Sequence, residues 1–107
     1  MTKINDIKKY SSLYDLYNEL LTEIQRRDFE LYLFSDLSLS EIATERNTSR
    51  AAIYDNVKKV QNHLEQFESK LHWTKKYKKI DGLLEKIKNE KNVSKRTELI
   101  KEIRMEL

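Results

Sequence analysis

Apolar positions recur along the chain at spacings of three and four, the period of amphipathic helices and not of strands. Leu13, Leu16, Tyr17, Leu20 and Leu21 form one such face, and Ser11 or Ser12 is placed to cap the helix that carries it. Thr22 followed by Gln25 forms a capping box opening a second helix through Ile24, Phe29, Leu31, Tyr32, Leu33 and Phe34. Six apolar positions exceed a single stripe, which predicts a central helix packed on more than one side and ended by Ser35 and Asp36. From Ile53 the spacing alternates four and three through Val57, Val60, Leu64, Phe67 and Leu71, the seam of a long helix lying lengthwise against another. After a phase shift at His72 the pattern resumes with Trp73, Tyr77, Ile80, Leu84 and Ile87. A stripe that jumps by two residues rotates off its partner, which predicts a break with Thr74 capping a new helix. A last helix, capped by Ser94 after the polar loop 89–92, presents Leu99, Ile100, Ile103 and Leu107. That stripe is buried either as an arm against its own chain or in a homodimer seam.

The segment between the second and the long helix is punctuated at every end. Ser38 and Glu41 form a second capping box, which starts a short helix near Leu39 with Leu39, Ile42 and Ala43 inward. Small Ala43 permits close approach of a following helix. Arg46, Asn47 and Thr48 form the turn, and Asn47 stands where a left-handed backbone is needed, which asparagine tolerates best after glycine. Ser49 caps the next helix, pinned by Ile53 and Val57. This is the grammar of a helix-turn-helix. The outward positions of its second helix are Ser49, Arg50, Ala51, Tyr54, Asp55, Lys58 and Lys59, the positions that meet a major groove in this motif.

Composition narrows the class without changing the pattern. With 107 residues, no proline, one glycine and 36 % charged residues, the expectation is a soluble all-α chain with a single core. The expected division is a helix-turn-helix domain over 1–72 and a basic C-terminal helical extension over 73–107, packing on the core or on a dimer partner. No apolar stretch approaches the ~18 residues of a membrane span, and the start lacks a signal-peptide core, so a cytoplasmic location is expected. Without cysteine, and with only His63 and His72, there is no metal-ligand spacing. No acid–base or nucleophile pair and no glycine-rich phosphate loop is present, so neither an enzyme nor a cofactor is expected.

Charge is unevenly placed. Residues 1–36 carry a balance of −2, residues 37–72 of 0 and residues 73–107 of +5. Non-specific duplex affinity comes from phosphate neutralisation, so a neutral reading head predicts weak binding on its own. Arginine, the best bidentate reader of guanine, stands only as Arg50 at the head of the recognition helix. Asp55 is repelled by phosphate and would instead accept from a cytosine amine or face a basic protein partner. Lys75, Lys76, Lys78 and Lys79 flank Tyr77 in the densest basic patch. They suit a phosphate backbone with the ring free to stack, or form a solvated face with Tyr77 turned inward.

Leu21-Thr22, Gln25-Arg26, Glu30-Leu31-Tyr32, Asp36-Leu37-Ser38-Leu39, Glu41-Ile42-Ala43, Ser49-Arg50 and the run Ala52 to Lys58 closely resemble the YlxM family of small bacterial proteins. The likeness covers roughly residues 10–72, and beyond them it is mainly one of charge and helicity. Where that family has glycine and a hydrophobic residue in the turn, this chain has Asn47 and Thr48. The resemblance implies an all-helical DNA-binding fold similar to region four of bacterial sigma factors. It also implies, through gene neighbourhood, an association with the signal recognition particle pathway. Two functions follow as expectations: a regulator that binds DNA as a dimer, and an accessory factor that meets the particle's RNA or GTPase through the basic tail.

Overall fold

The computed structural model describes the backbone of residues 3–107 and the side chains of residues 7–107. The stretch from Met1 in which the sequence shows no signal-peptide core begins outside the described residues. Among the described residues there are six α-helices and no strand: α1 (Lys3–Tyr17), α2 (Glu23–Phe34), α3 (Leu39–Glu45), α4 (Arg50–Leu71), α5 (Trp73–Asn89) and α6 (Val93–Glu106). The fold is all-α, as the spacing predicts. None of these helices is long and apolar enough to cross a membrane. The chain divides into two compact units, one ending at Leu71 and one running from His72 to Leu107.

In the first unit α4 lies against α1, α2 and α3. Its seam residues Ile53, Val57, Val60 and Leu64 are buried, with Phe67 at the edge of the core. Phe29 of α2 is fully buried, ringed by Tyr14 at 5.8 Å, Tyr32 at 5.9 Å and Tyr10 at 6.4 Å between centroids. Such aromatic packing adds roughly 0.5–1.5 kcal/mol per pair beyond area burial. The Thr22–Gln25 capping box is formed in both directions, and α2 ends at Phe34 with Ser35 as its cap. Packing on several sides is as the sequence predicts, although Ile24 and Phe34, expected inside, are exposed.

The start of α1 corrects the serine reading. Ser11 and Ser12 lie within the helix, and the Ser12 hydroxyl donates back to the Lys8 carbonyl at 3.2 Å. The helix continues N-terminal to them because Tyr10, Leu13, Tyr14 and Tyr17 share one buried face. Leu20 falls in a 3₁₀ turn, Asn18–Leu20, and is exposed. Each buried tyrosine finds a carboxylate: Tyr14 donates to Glu30 at 2.7 Å, Tyr17 to Glu68 at 2.7 Å and Tyr10 to Glu65 at 3.1 Å. Lys9 pairs with the same Glu65 and, through that bond, holds its carboxyl below the ordinary range. These charge-assisted bonds satisfy hydroxyls that burial would otherwise strand.

The second unit is a hairpin of α5 and α6. His72 adopts φ 55°, so the helix breaks where the apolar phase shifts. His72 itself, not Thr74, occupies the capping position, and its carbonyl receives the Lys76 amide at 3.1 Å. Asn92, not Ser94, caps α6 by accepting from the Lys95 amide at 3.1 Å, because the helix begins one residue before Ser94. The expected seam holds in part, with Leu83 and not Leu84 as its buried residue. Leu83 is buried, Ile80, Ile87, Leu99 and Ile103 are half-buried, and Trp73, Tyr77, Leu84 and Ile100 are exposed. Lys79 closes the hairpin on Glu106 at 2.6 Å, and this bond raises its ammonium above the ordinary lysine value.

Candidate nucleic-acid interface

The candidate interface is built by the ends of two helices and the turn between them. Ser38 Oγ accepts the Glu41 amide at 3.1 Å while Glu41 Oε1 accepts the Ser38 amide at 3.0 Å. The Ser38 amide first, and then the Ser38 hydroxyl, hold the Glu41 carboxyl below its ordinary value. Ile42 is fully buried and Ala43 nearly so, which brings α3 and α4 into close contact. At the other end Asn47 has φ 55°, with its amide donating to the Thr44 carbonyl at 3.2 Å and the Thr48 amide to Ala43 at 2.9 Å. That pair of bonds is a Schellman turn, which ends α3 and releases the chain in a new direction. Ser49 Oγ then accepts the Ala52 amide at 3.1 Å and starts α4. The two caps and the left-handed asparagine stand where the sequence places them.

The first turns of α4 sort their side chains cleanly. Ile53 and Val57 face the core, while Ser49, Arg50, Ala51, Tyr54, Asp55 and Lys59 are exposed. Lys58 is half-buried, its ammonium 5.7 Å from the centroid of the Tyr54 ring. Arg50, Tyr54 and Lys58 line one strip of the helix with Ala51 and Asp55 beside them, while Lys59 lies on the flank opposite Arg50; the seven candidate positions together carry three cations and one carboxylate. This surface can donate to base edges and phosphate through Arg50, Lys58 and Lys59, and to either through the Tyr54 hydroxyl. Lys75, Lys76, Lys78 and Lys79 are all exposed on α5, in the second unit. Tyr77 among them is exposed, not turned inward, and Lys76 lies 5.7 Å over Trp73.

One group behind the arc escapes sequence reasoning. Asp28 in α2 is buried, and its two oxygens accept from Arg46 Nε at 2.6 Å and Asn56 Nδ2 at 3.1 Å. No local signal marks it, since Asp28 stands in the polar run Gln25-Arg26-Arg27-Asp28 with Glu30 close by, and the partners that make its burial tolerable lie far along the chain.

A family described as "Putative helix-turn-helix protein, YlxM / p13 like" (UPF0122) matches residues 4–104. The chain belongs to this family. It is 44 % identical to a UPF0122 protein of Malacoplasma penetrans over 84 residues, 78 % of each chain. It is 40 % identical to one of Oceanobacillus iheyensis over 94 residues, covering 85 % of this chain and 90 % of the relative. A third, from Halalkalibacterium halodurans, is 45 % identical over 76 residues, 71 % of this chain and 70 % of the relative. The family match runs through α5 and most of α6, so membership extends beyond the stretch 10–72 on which the sequence resemblance rests.

Proposed function

We propose that this chain is a non-catalytic DNA-binding protein whose α4 enters a major groove. Arg50, Ala51, Tyr54, Asp55 and Lys58 meet base edges, and Ser49 and Lys59 meet the flanking backbone. The observation that carries this reading is the exposure of Arg50, Ala51, Tyr54 and Asp55 on one side of a helix that starts at a Schellman turn. Helix-turn-helix membership supports it independently. In a dimer, two such helices would address half-sites about 34 Å apart. The role is regulatory, cytoplasmic and tied to the signal recognition particle pathway, a link that rests on the family resemblance.

A second reading is favoured by the exposed lysines of α5. Here the chain is an accessory factor that meets the particle's RNA or its GTPase through Lys75, Lys76, Lys78 and Lys79. Changing Arg50 and Tyr54 together to Ala, and separately all four lysines to Glu, tests both. Fluorescence anisotropy on duplex DNA and on the particle RNA is expected to show duplex binding lost in the first variant and retained in the second. RNA binding lost only in the lysine variant, with no duplex binding by the unaltered chain, would select the accessory reading.

A further inference from the structure

The Asp28 carboxylate takes no part in the outward arc, yet it grips the helix-turn-helix on both sides of its turn. Its side chain is 4 % exposed. Arg46, held at 2.6 Å, is the residue that ends α3, and Asn56, held at 3.1 Å, lies in the second turn of α4. One planar group anchored in α2 therefore fixes two directions, each by a hydrogen bond with its own geometry. At 100° per residue, Asn56 falls roughly 160° around α4 from the middle of the arc holding Arg50, Tyr54 and Lys58. The grip is from behind.

The contacts that Ile53, Val57 and Val60 make are apolar and fix α4 only through side-chain shape, so they resist a large rotation about its axis more than a small roll. The bond from Asn56 to Asp28 is directional and sits at a fixed azimuth on the end of α4 that carries Arg50, whereas the bonds that Glu65 and Glu68 of the same helix accept lie 9 and 12 residues further along. A helix that reads base edges depends on that azimuth, because a small roll moves Arg50 from one base edge to the next.

We propose that Asp28 is a positioning residue for duplex recognition: through Asn56 and Arg46 it sets the roll of α4, and hence which base edges Arg50 and Tyr54 meet. This rests on the DNA-binding reading above and adds to it the group that governs selectivity. Asp28 contributes nothing to phosphate contact, so it acts on the preference between sequences and not on the strength of non-specific binding.

Three variants separate these effects. Asn56→Ala releases α4 while Asp28 stays paired with Arg46. Asn56→Asp sets two carboxylates against each other, and Asp28→Asn combined with Asn56→Asp rebuilds the bond with donor and acceptor exchanged. Binding is read by anisotropy on a short duplex enriched by in vitro selection with the unaltered chain, and on a scrambled duplex, at several salt concentrations. In Asn56→Ala the ratio of the two affinities is expected to fall about tenfold, the worth of one base-edge contact. The salt slope on the scrambled duplex should not move, since it counts phosphates. Asn56→Asp loses the ratio and the exchanged pair regains it. A variant that merely folds less would lower both affinities together and leave their ratio alone. A ratio unchanged in Asn56→Ala, or not regained by the exchanged pair, overturns the positioning role and leaves the duplex reading standing. If the unaltered chain enriches no duplex, that reading falls and the positioning role falls with it.

Discussion

The Thr48 amide reaches the Ala43 carbonyl at 2.9 Å by turning through Asn47, whose φ of 55° sets the direction in which α4 departs. A side chain in the left-handed region costs roughly 1–2 kcal/mol, less for asparagine and nothing for glycine. Asn47→Gly is therefore expected to raise stability by up to about 1 kcal/mol, and Asn47→Val to lower it by at least as much. Urea midpoints should move in opposite directions. If both variants are destabilised, the asparagine side chain holds the turn by some contact other than its tolerance of this conformation.

Arg46 and Asp28 form an ion pair whose halves differ in their access to water, with side-chain exposures of 24 % and 4 %. Removing one partner of a buried pair costs about 3–5 kcal/mol because the other is stranded. The two deletions should therefore be unequal. Arg46→Ala leaves the carboxylate enclosed with only Asn56, whereas Asp28→Ala leaves a guanidinium that can swing outward. Chemical unfolding is expected to place Arg46→Ala near ~3 kcal/mol and Asp28→Ala clearly below it. Equal losses would mean that Arg46 is as confined as its partner.

What was legible in the sequence was what adjacent residues determine. Ser38 with Glu41, Thr22 with Gln25, the Ser49 cap and the left-handed Asn47 all involve groups within a few positions of one another. The 4-3-4-3 spacing from Ile53 likewise gave the extent of α4. The failures share a cause of the opposite kind. Tyr10 and Tyr14 are core residues because Glu65 and Glu30, which accept their hydroxyls, lie 55 and 16 positions away. Asp28 needs Arg46 and Asn56 at separations of 18 and 28. Serines at 11 and 12 have the chemistry of a helix start, but burial of Tyr10, Tyr14 and Tyr17 on one face carries α1 past them. In α5 the choice between Leu83 and Leu84 depends on where α6 lies, which the spacing of α5 alone does not state.

Burial first, then the hydrogen bond to Glu30 and the charge of that carboxylate, push the Tyr14 hydroxyl well above its ordinary value of 10.0. The folded chain thus holds this proton more tightly than the unfolded chain. The resulting stability is complete below the unfolded value and is lost as pH rises from there toward the higher folded value. Two outcomes are expected. Tyr14→Phe should leave the native tyrosinate absorbance titration between about pH 9 and 11 unaltered, because Tyr14 does not contribute to it. It should also make the decline of stability above about pH 10 shallower. A titration of smaller amplitude in the variant would show that Tyr14 ionises in place.

The salt dependence of duplex binding decides which lysines touch phosphate. Arg50, Lys58 and Lys59 are the cations of the α4 arc; Lys59 meets the backbone, Arg50 and Lys58 bring charge beside it while meeting base edges, and neutralisation by all three sets an upper log–log slope of about −2.7. Addition of Lys75, Lys76, Lys78 and Lys79 would steepen it to about −6. The steeper value is not expected, since Lys79 is engaged by Glu106 at 2.6 Å and Lys76 lies over the Trp73 ring. Asp55 opposes the arc's cations, so Asp55→Asn should tighten binding to a scrambled duplex while leaving the slope nearly as it was, because no cation is added. Anisotropy titrations from low to moderate salt give all of these values. A slope near −3 that survives Lys75→Glu with Lys78→Glu assigns the contact to α4. A slope that becomes shallower by about two in that variant transfers it to α5.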